Sequence, residues 1–239
     1  MEHCNVNSNT IKRLVKDVSD IYKNPLVDNG IHYVHDDENM LLGYALIIGP
    51  KDTIYQYGYY FFQFNFPKTY PFDPPKVTFH TRDGETRFHP NFYRNGKVCL
   101  SILNTWKGEC WTSCQTIKSV LLTVVSLFEK NSLLHEPGIH KDNTEVKKYN
   151  EIIEFMNYKH SFIKISTNYE LGKFALFKHI INQKTQENST IIKSILSDKK
   201  KSCKNQHIYC NIYNFTVHVN YSRLYDTYVK YLSDKIENI

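Results

Sequence analysis

The chain has 239 residues and carries 30 Lys+Arg against 24 Asp+Glu, a formal net charge of +6, with 41% hydrophobic and 23% charged residues. That balance is ordinary for a chain with its own buried core, and it excludes a largely disordered or fibrous protein. No run reaches the roughly 18 apolar residues of a membrane span and the start MEHCNVNSN has no signal-peptide core, so no membrane partner is expected and the cytoplasm or nucleus is the expected location.

In that reducing setting the six cysteines, at positions 4, 99, 110, 114, 203 and 210, are expected to be free thiols. The basic excess is concentrated late: residues 166–239 hold 11 Lys+Arg against 6 Asp+Glu, including DKKKSCK at 198–204. A short lysine run of this kind is expected to be a solvated surface loop, so nucleic acid is not an expected partner.

The first element is an amphipathic helix in SNTIKRLVKDVSDIYKNP, with Ile11, Leu14, Val15, Val18, Ile21 and Tyr22 at helical spacing and Lys12, Arg13 and Lys16 on the outer face. Three strand-like runs follow, 30–35, 41–48 and 57–66, separated by short turns that favour an antiparallel meander. The third, YGYYFFQFNF, is expected to pack its alternate residues on a helix. Prolines at 67, 71, 74 and 75 then force an irregular crossing before the strand KVTFH.

Further on, Ile117, Val120, Leu121, Val124, Leu127 and Phe128 mark one face of a helix, and TEVKKYNEIIEFMNYKHSFIKI reads as another long one. Beyond residue 165 lie the helical pieces FALFKHIIN and STIIKSILS, a β-like run HIYCNIYNFTVHVN and a closing helix YSRLYDTYVKYLSDKI. The order is that of an α+β fold, with a domain at 1–165 and an α/β C-terminal extension at 166–239.

Chemistry centres on RFHPNFYRNGKVCLSIL. A lone cysteine between Val98 and Leu100 is more often packing than a nucleophile. Here, however, Asn95-Gly96 favours a tight reversal that brings Asn91 across from Cys99, and an exposed thiol is possible. Cys110 and Cys114 lack the spacing of a zinc site and no phosphate-binding or dinucleotide glycine pattern appears, so no metal and no cofactor is expected.

YPFDPPKVTF, the His-Pro-Asn triplet at 89–91, NGKVCLSIL and SVLLTVVSLF together resemble the ubiquitin-conjugating enzymes, over residues 8–160 and in the family's order, with Cys99 eight residues after Asn91. The resemblance implies the UBC fold: an N-terminal helix, a four-stranded antiparallel sheet, and central and C-terminal helices. It also implies that Cys99 accepts ubiquitin or a ubiquitin-like modifier as a thioester from an activating enzyme and yields it to a substrate lysine, usually with a ligase. ATP is consumed by the activating enzyme, so no cofactor is implied. A silent scaffold of the same fold is the alternative.

By the same resemblance, Asn91 stabilises the oxyanion or holds the neighbouring loop, and His89 and Pro90 fix that loop. Glu136, with His135 second, is the candidate for orienting the incoming lysine. Lys12, Arg13 and Lys16 match the face used for the activating enzyme, while Phe72 and Trp111 match positions used for ligases. The chain departs from the family at Ser101, where an aspartate is common, and at Thr112–Cys114, where the usual loop is Ser-Pro-Ala. The whole is most like the large Z type with a C-terminal extension.

Overall fold

The computed structural model describes residues 6–167 and 171–237, so Cys4 lies outside the described residues. Helix α1 (Ser8–Lys23) starts where the Asn7 side chain accepts the Asn9 N–H, and Lys23 lies in its last turn, where a cation complements the helix dipole. Strands β1 (Ile31–His35), β2 (Leu42–Ile48), β3 (Tyr59–Asn65) and β4 (Lys76–Phe79) form an antiparallel meander in chain order. Its register is fixed by pairs such as Ala45↔Phe62 and Phe62↔Phe79.

Helix α2 (Ile117–Ser126) is closed at its start by a reciprocal box between Thr116 and Ser119, and buries Ile117, Val120, Leu121 and Val124. Just beyond it Phe128 packs on the inner sheet face, with its ring 4.7 Å from that of Tyr60 and 5.0 Å from that of Tyr55. Helix α3 (Thr144–Met156) widens into a π-helical segment, Asn157–Lys164, and ends in the short α4 (Ile165–Thr167). The expected α+β fold and four-stranded sheet are therefore present.

The tail corrects three expectations. The two helical pieces are one helix, α5 (Lys178–Ser202), entered through a 3-10 turn at Gly172–Phe177. The lysine run is not a loop: Lys199, Lys200 and Lys201 form the last turn of α5, where Lys199 pairs with Glu154 at 2.5 Å and Lys200 with Asp226 at 2.8 Å. A hairpin of β5 (Gln206–Cys210) and β6 (Phe215–Val219) then leads into α6 (Tyr221–Glu237).

The third correction concerns β3, which is buried on both faces rather than on alternate residues. Tail and π-helical side chains cover the outer face: Phe174 stacks on Phe61 at 4.6 Å, Phe162 stacks on Tyr59 at 5.6 Å, and the Tyr59 hydroxyl lies 2.8 Å from that of Thr185. Burying an aromatic of this size contributes about 2–3 kcal/mol, so the tail is part of what keeps the sheet folded.

Candidate active site

The stretch from His89 to Leu103 is a folded-back loop laid along β4. Narrow bridges join His89 to Phe92, Phe92 to Val98 and Thr78 to Lys97. The reversal falls at Asn95-Gly96, as its sequence predicts. Gly96 has φ +91°, and a Cβ there would meet the Phe79 carbonyl oxygen at 2.9 Å, so only glycine fits the turn.

Across this reversal Asn91 and Cys99 hold each other. The Cys99 N–H donates to the Asn91 carbonyl at 2.9 Å, and Asn91 Nδ2 donates to the Cys99 carbonyl at 2.6 Å. Asn91 Oδ1 is buried and has no partner among the described residues. The amide is thus locked with its N–H groups on the cysteine side of the loop.

His89 is buried beneath this pair. Its Nδ1 accepts the Asn91 N–H at 3.0 Å, which leaves Nε2 as the protonated nitrogen, donating to the Leu127 carbonyl at 3.0 Å. Burial holds its pKa well below the usual histidine value. A neutral, doubly bonded ring is a support for the loop rather than a proton carrier. Arg87 adds a second support, donating through Nε to the His89 carbonyl at 3.1 Å and through Nη2 to the Pro90 carbonyl at 2.5 Å.

Cys99 is not an exposed thiol: the residue is only 2% accessible, and Sγ lies 3.3 Å from the Thr105 carbonyl oxygen. Thr105 folds the following turn back over it. The Thr105 hydroxyl accepts the Leu100 N–H at 2.8 Å and donates to the Val98 carbonyl at 2.9 Å, while the Thr105 N–H donates to the Leu100 carbonyl at 3.1 Å. The cover is slight, because the loop beyond it is exposed from Asn104 to Cys110 and carries a half-exposed Trp106.

Glu136 and His135 lie in the loop after α2. The His135 ring is 5.2 Å from that of His89, which puts this loop beside the Asn91 support, and His135 Nε2 lies 3.7 Å from Glu129. Glu136 accepts a hydrogen bond from the Tyr213 hydroxyl at 2.6 Å. Tyr213 belongs to the turn between β5 and β6, and no local pattern in the sequence marks it.

The expected docking residues divide. Lys12 and Lys16 are exposed and Phe72 is 72% accessible. Arg13 and Trp111 turn inward instead. Arg13 is paired with the buried Asp17 at 2.9 Å and donates to the carbonyls of Ser113 and Gln115, tying α1 to the 112–115 loop. Trp111 is 7% accessible and donates through Nε1 to the Pro71 carbonyl at 2.7 Å. Both side chains hold loop carbonyls in place, Arg13 from a partly exposed position and Trp111 from a buried one. The apolar stripe of α1 is also rotated from expectation: Val15 is 60% and Tyr22 57% accessible, while Thr10 and Asp17 are buried.

The model of the family described as "Ubiquitin-conjugating enzyme" matches residues 13–157 of this chain. The chain belongs to the ubiquitin-conjugating enzyme family. Among relatives, "Ubiquitin-conjugating enzyme E2 Z" of Xenopus tropicalis is 42% identical over 159 residues, covering 65% of this chain and 49% of that one. The protein of the same name from Homo sapiens is 43% identical over 157 residues, covering 64% of this chain and 42% of its own length. "Probable ubiquitin-conjugating enzyme protein 17" of Caenorhabditis elegans is 38% identical over 162 residues, covering 62% and 22%. The expected likeness to the Z type is thus borne out, and the matched part spans less than half the length of these relatives.

Proposed function

We propose that this member of the family is an active conjugating enzyme. Cys99 takes ubiquitin or a ubiquitin-like modifier from an activating enzyme as a thioester and passes it to a substrate lysine, with a ligase bringing the two together. The observation that carries the reading is the mutual grip of Asn91 and Cys99, which sets a side-chain amide beside the cysteine backbone.

Thiol exchange suits a cysteine. The thiolate attacks the incoming thioester, the first thiol leaves, and the new thioester keeps its acyl reactivity for an amine. Attack of lysine then puts negative charge on the carbonyl oxygen, and an amide donor held by its own loop stabilises that charge without reorganising. Glu136, or His135 beside it, orients the amine and takes its proton. Lys12, Lys16 and Phe72 present the surface for the activating enzyme and the ligase. Residues 1–165 form the conjugating unit and 166–239 an extension, and the enzyme works in the cytoplasm or nucleus without a cofactor of its own.

The test is a charging assay with ATP, ubiquitin and an activating enzyme, read on a non-reducing gel beside Cys99→Ser. A thiol-sensitive adduct that becomes thiol-resistant in the serine variant is the expected result. No adduct with any activating enzyme or modifier would instead favour a silent scaffold.

A further inference from the structure

The tip of the tail hairpin reaches the candidate active site. Tyr213 lies 119 residues from Arg94 in the chain, yet Arg94 Nη2 donates to its backbone carbonyl at 2.6 Å. The tip is also held from α3, where the two oxygens of Glu145 accept the backbone and side-chain N–H groups of Asn211, each at 2.9 Å.

From this anchored position Tyr213 contacts both the loop after α2 and the Arg87 side chain. Its hydroxyl donates to Glu136 Oε2 at 2.6 Å. Its ring lies 5.2 Å from the Arg87 guanidinium carbon, which in turn sits 3.4 Å from the Tyr93 ring. Arg87 is the side chain that holds the carbonyls of His89 and Pro90. One tail residue thus touches the carboxylate proposed to meet the amine and the cation that shapes the His89–Asn91 loop. Burial, followed by the bond to Glu136, raises the phenol's pKa, so the hydroxyl keeps the proton it donates.

We propose that Tyr213 is a positioning residue for the transfer step, fixing the Glu136 carboxylate and backing Arg87, so that the tail hairpin completes the active site of the core. The inference rests on the conjugating reading above. In that step the lysine nitrogen attacks the thioester carbonyl carbon. The C–N bond forms, the C–S bond breaks, Cys99 leaves as a thiolate and the surplus ammonium proton passes to Glu136. A free glutamate samples several rotamers, whereas one whose carboxylate accepts a short hydrogen bond from a fixed phenol presents a single geometry to the amine. Charging needs no amine to be oriented, so it is a separate readout.

The experiment compares charging of the full chain with discharge of the thioester onto free lysine, for wild type, Tyr213→Phe, Glu136→Gln and the double variant, with Tyr209→Phe as a control on the exposed face of the same hairpin. Tyr213→Phe keeps the ring over Arg87 and removes only the donor. The expected result is a threefold or greater drop in discharge relative to charging for Tyr213→Phe, a drop for Glu136→Gln, no further drop in the double variant and none for Tyr209→Phe. Discharge unchanged in Tyr213→Phe while Glu136→Gln is slowed overturns the inference. Equal loss of charging and discharge in Tyr213→Phe overturns it too, in favour of a merely structural role. If wild type does not charge at all, the conjugating reading fails and takes the inference with it.

Discussion

Asn91 and Cys99 exchange hydrogen bonds in both directions, backbone N–H to carbonyl at 2.9 Å and side-chain amide to carbonyl at 2.6 Å, so the loop that carries the thiol is closed by the residue beside it. Replacing Asn91 therefore removes a loop bond and an oxyanion donor together. Asn91→Ala is expected to cost about 1 kcal/mol of stability, from urea midpoints, and to slow discharge onto lysine by about 100-fold. Asn91→Asp tests the direction of the bond. It keeps the shape but points a second acceptor at the Cys99 carbonyl, so it should be at least as impaired as alanine. Wild-type discharge in either variant would show that the amide has no part in transfer.

Thr105 is the latch over the thiol, because its hydroxyl ties Leu100 to Val98 while its carbonyl meets Cys99 Sγ. A cysteine 2% accessible reacts only when that turn opens. Losing a hydrogen bond worth about 1 kcal/mol makes opening several-fold more frequent. Thr105→Ala should then show Cys99 alkylated by iodoacetamide about fivefold faster than in wild type, measured on the Cys99 peptide by mass spectrometry. An unchanged rate would mean that the cover is set by the Ser101–Leu103 turn.

What could be read from the sequence was what depends on near neighbours in the chain. Asn95-Gly96 dictates a reversal, and the reversal brings Asn91 to Cys99. The apolar spacing of Ile117, Val120 and Leu121 dictates a buried helix face. What could not be read depends on partners far along the chain. YYFFQF has almost no polar alternation, which is the signature of a strand covered twice, yet the covering side chains, Phe162 and Phe174, lie about a hundred residues on. Arg13 looks like any surface cation of a helix until the carbonyls of Ser113 and Gln115 are seen beside it. Tyr213 is one tyrosine among 18, and only its place on the hairpin tip distinguishes it.

Buried histidines make the fold sensitive to acid. Burial lowers the pKa of His89 well below the ordinary value, and brings His80 and His160 to about 4. A histidine depressed in the folded state binds more protons unfolded below pH 6.5, so stability is full above that pH and is lost as pH falls from 6.5 towards the folded values. The fully buried His89 contributes most of this loss. The buried His160 and the half-buried His80 add to it. Urea midpoints should fall steadily over that range, and a flat profile would show that the His89 ring is not held neutral.

The tail is bound to the core by the outer face of the sheet, where Phe174 stacks on Phe61 and meets Tyr44 edge-on at 5.8 Å. Phe174 is buried, so Phe174→Ala leaves a cavity against two aromatic rings and is expected to cost about 3–4 kcal/mol, read as a drop in the urea midpoint of the whole chain. If the tail docked as an independent unit, the variant would instead show two transitions, with the core melting at its wild-type midpoint. A single lowered transition is expected, because Phe61 on β3 is covered by Phe174 and Phe177 of the tail. By the same argument, a chain ended at residue 165 keeps Phe162 on Tyr59 but uncovers Phe61 and Tyr44, and should aggregate, as an exposed apolar sheet face does. A soluble, cooperatively folding 1–165 fragment would show that the sheet does not depend on the tail.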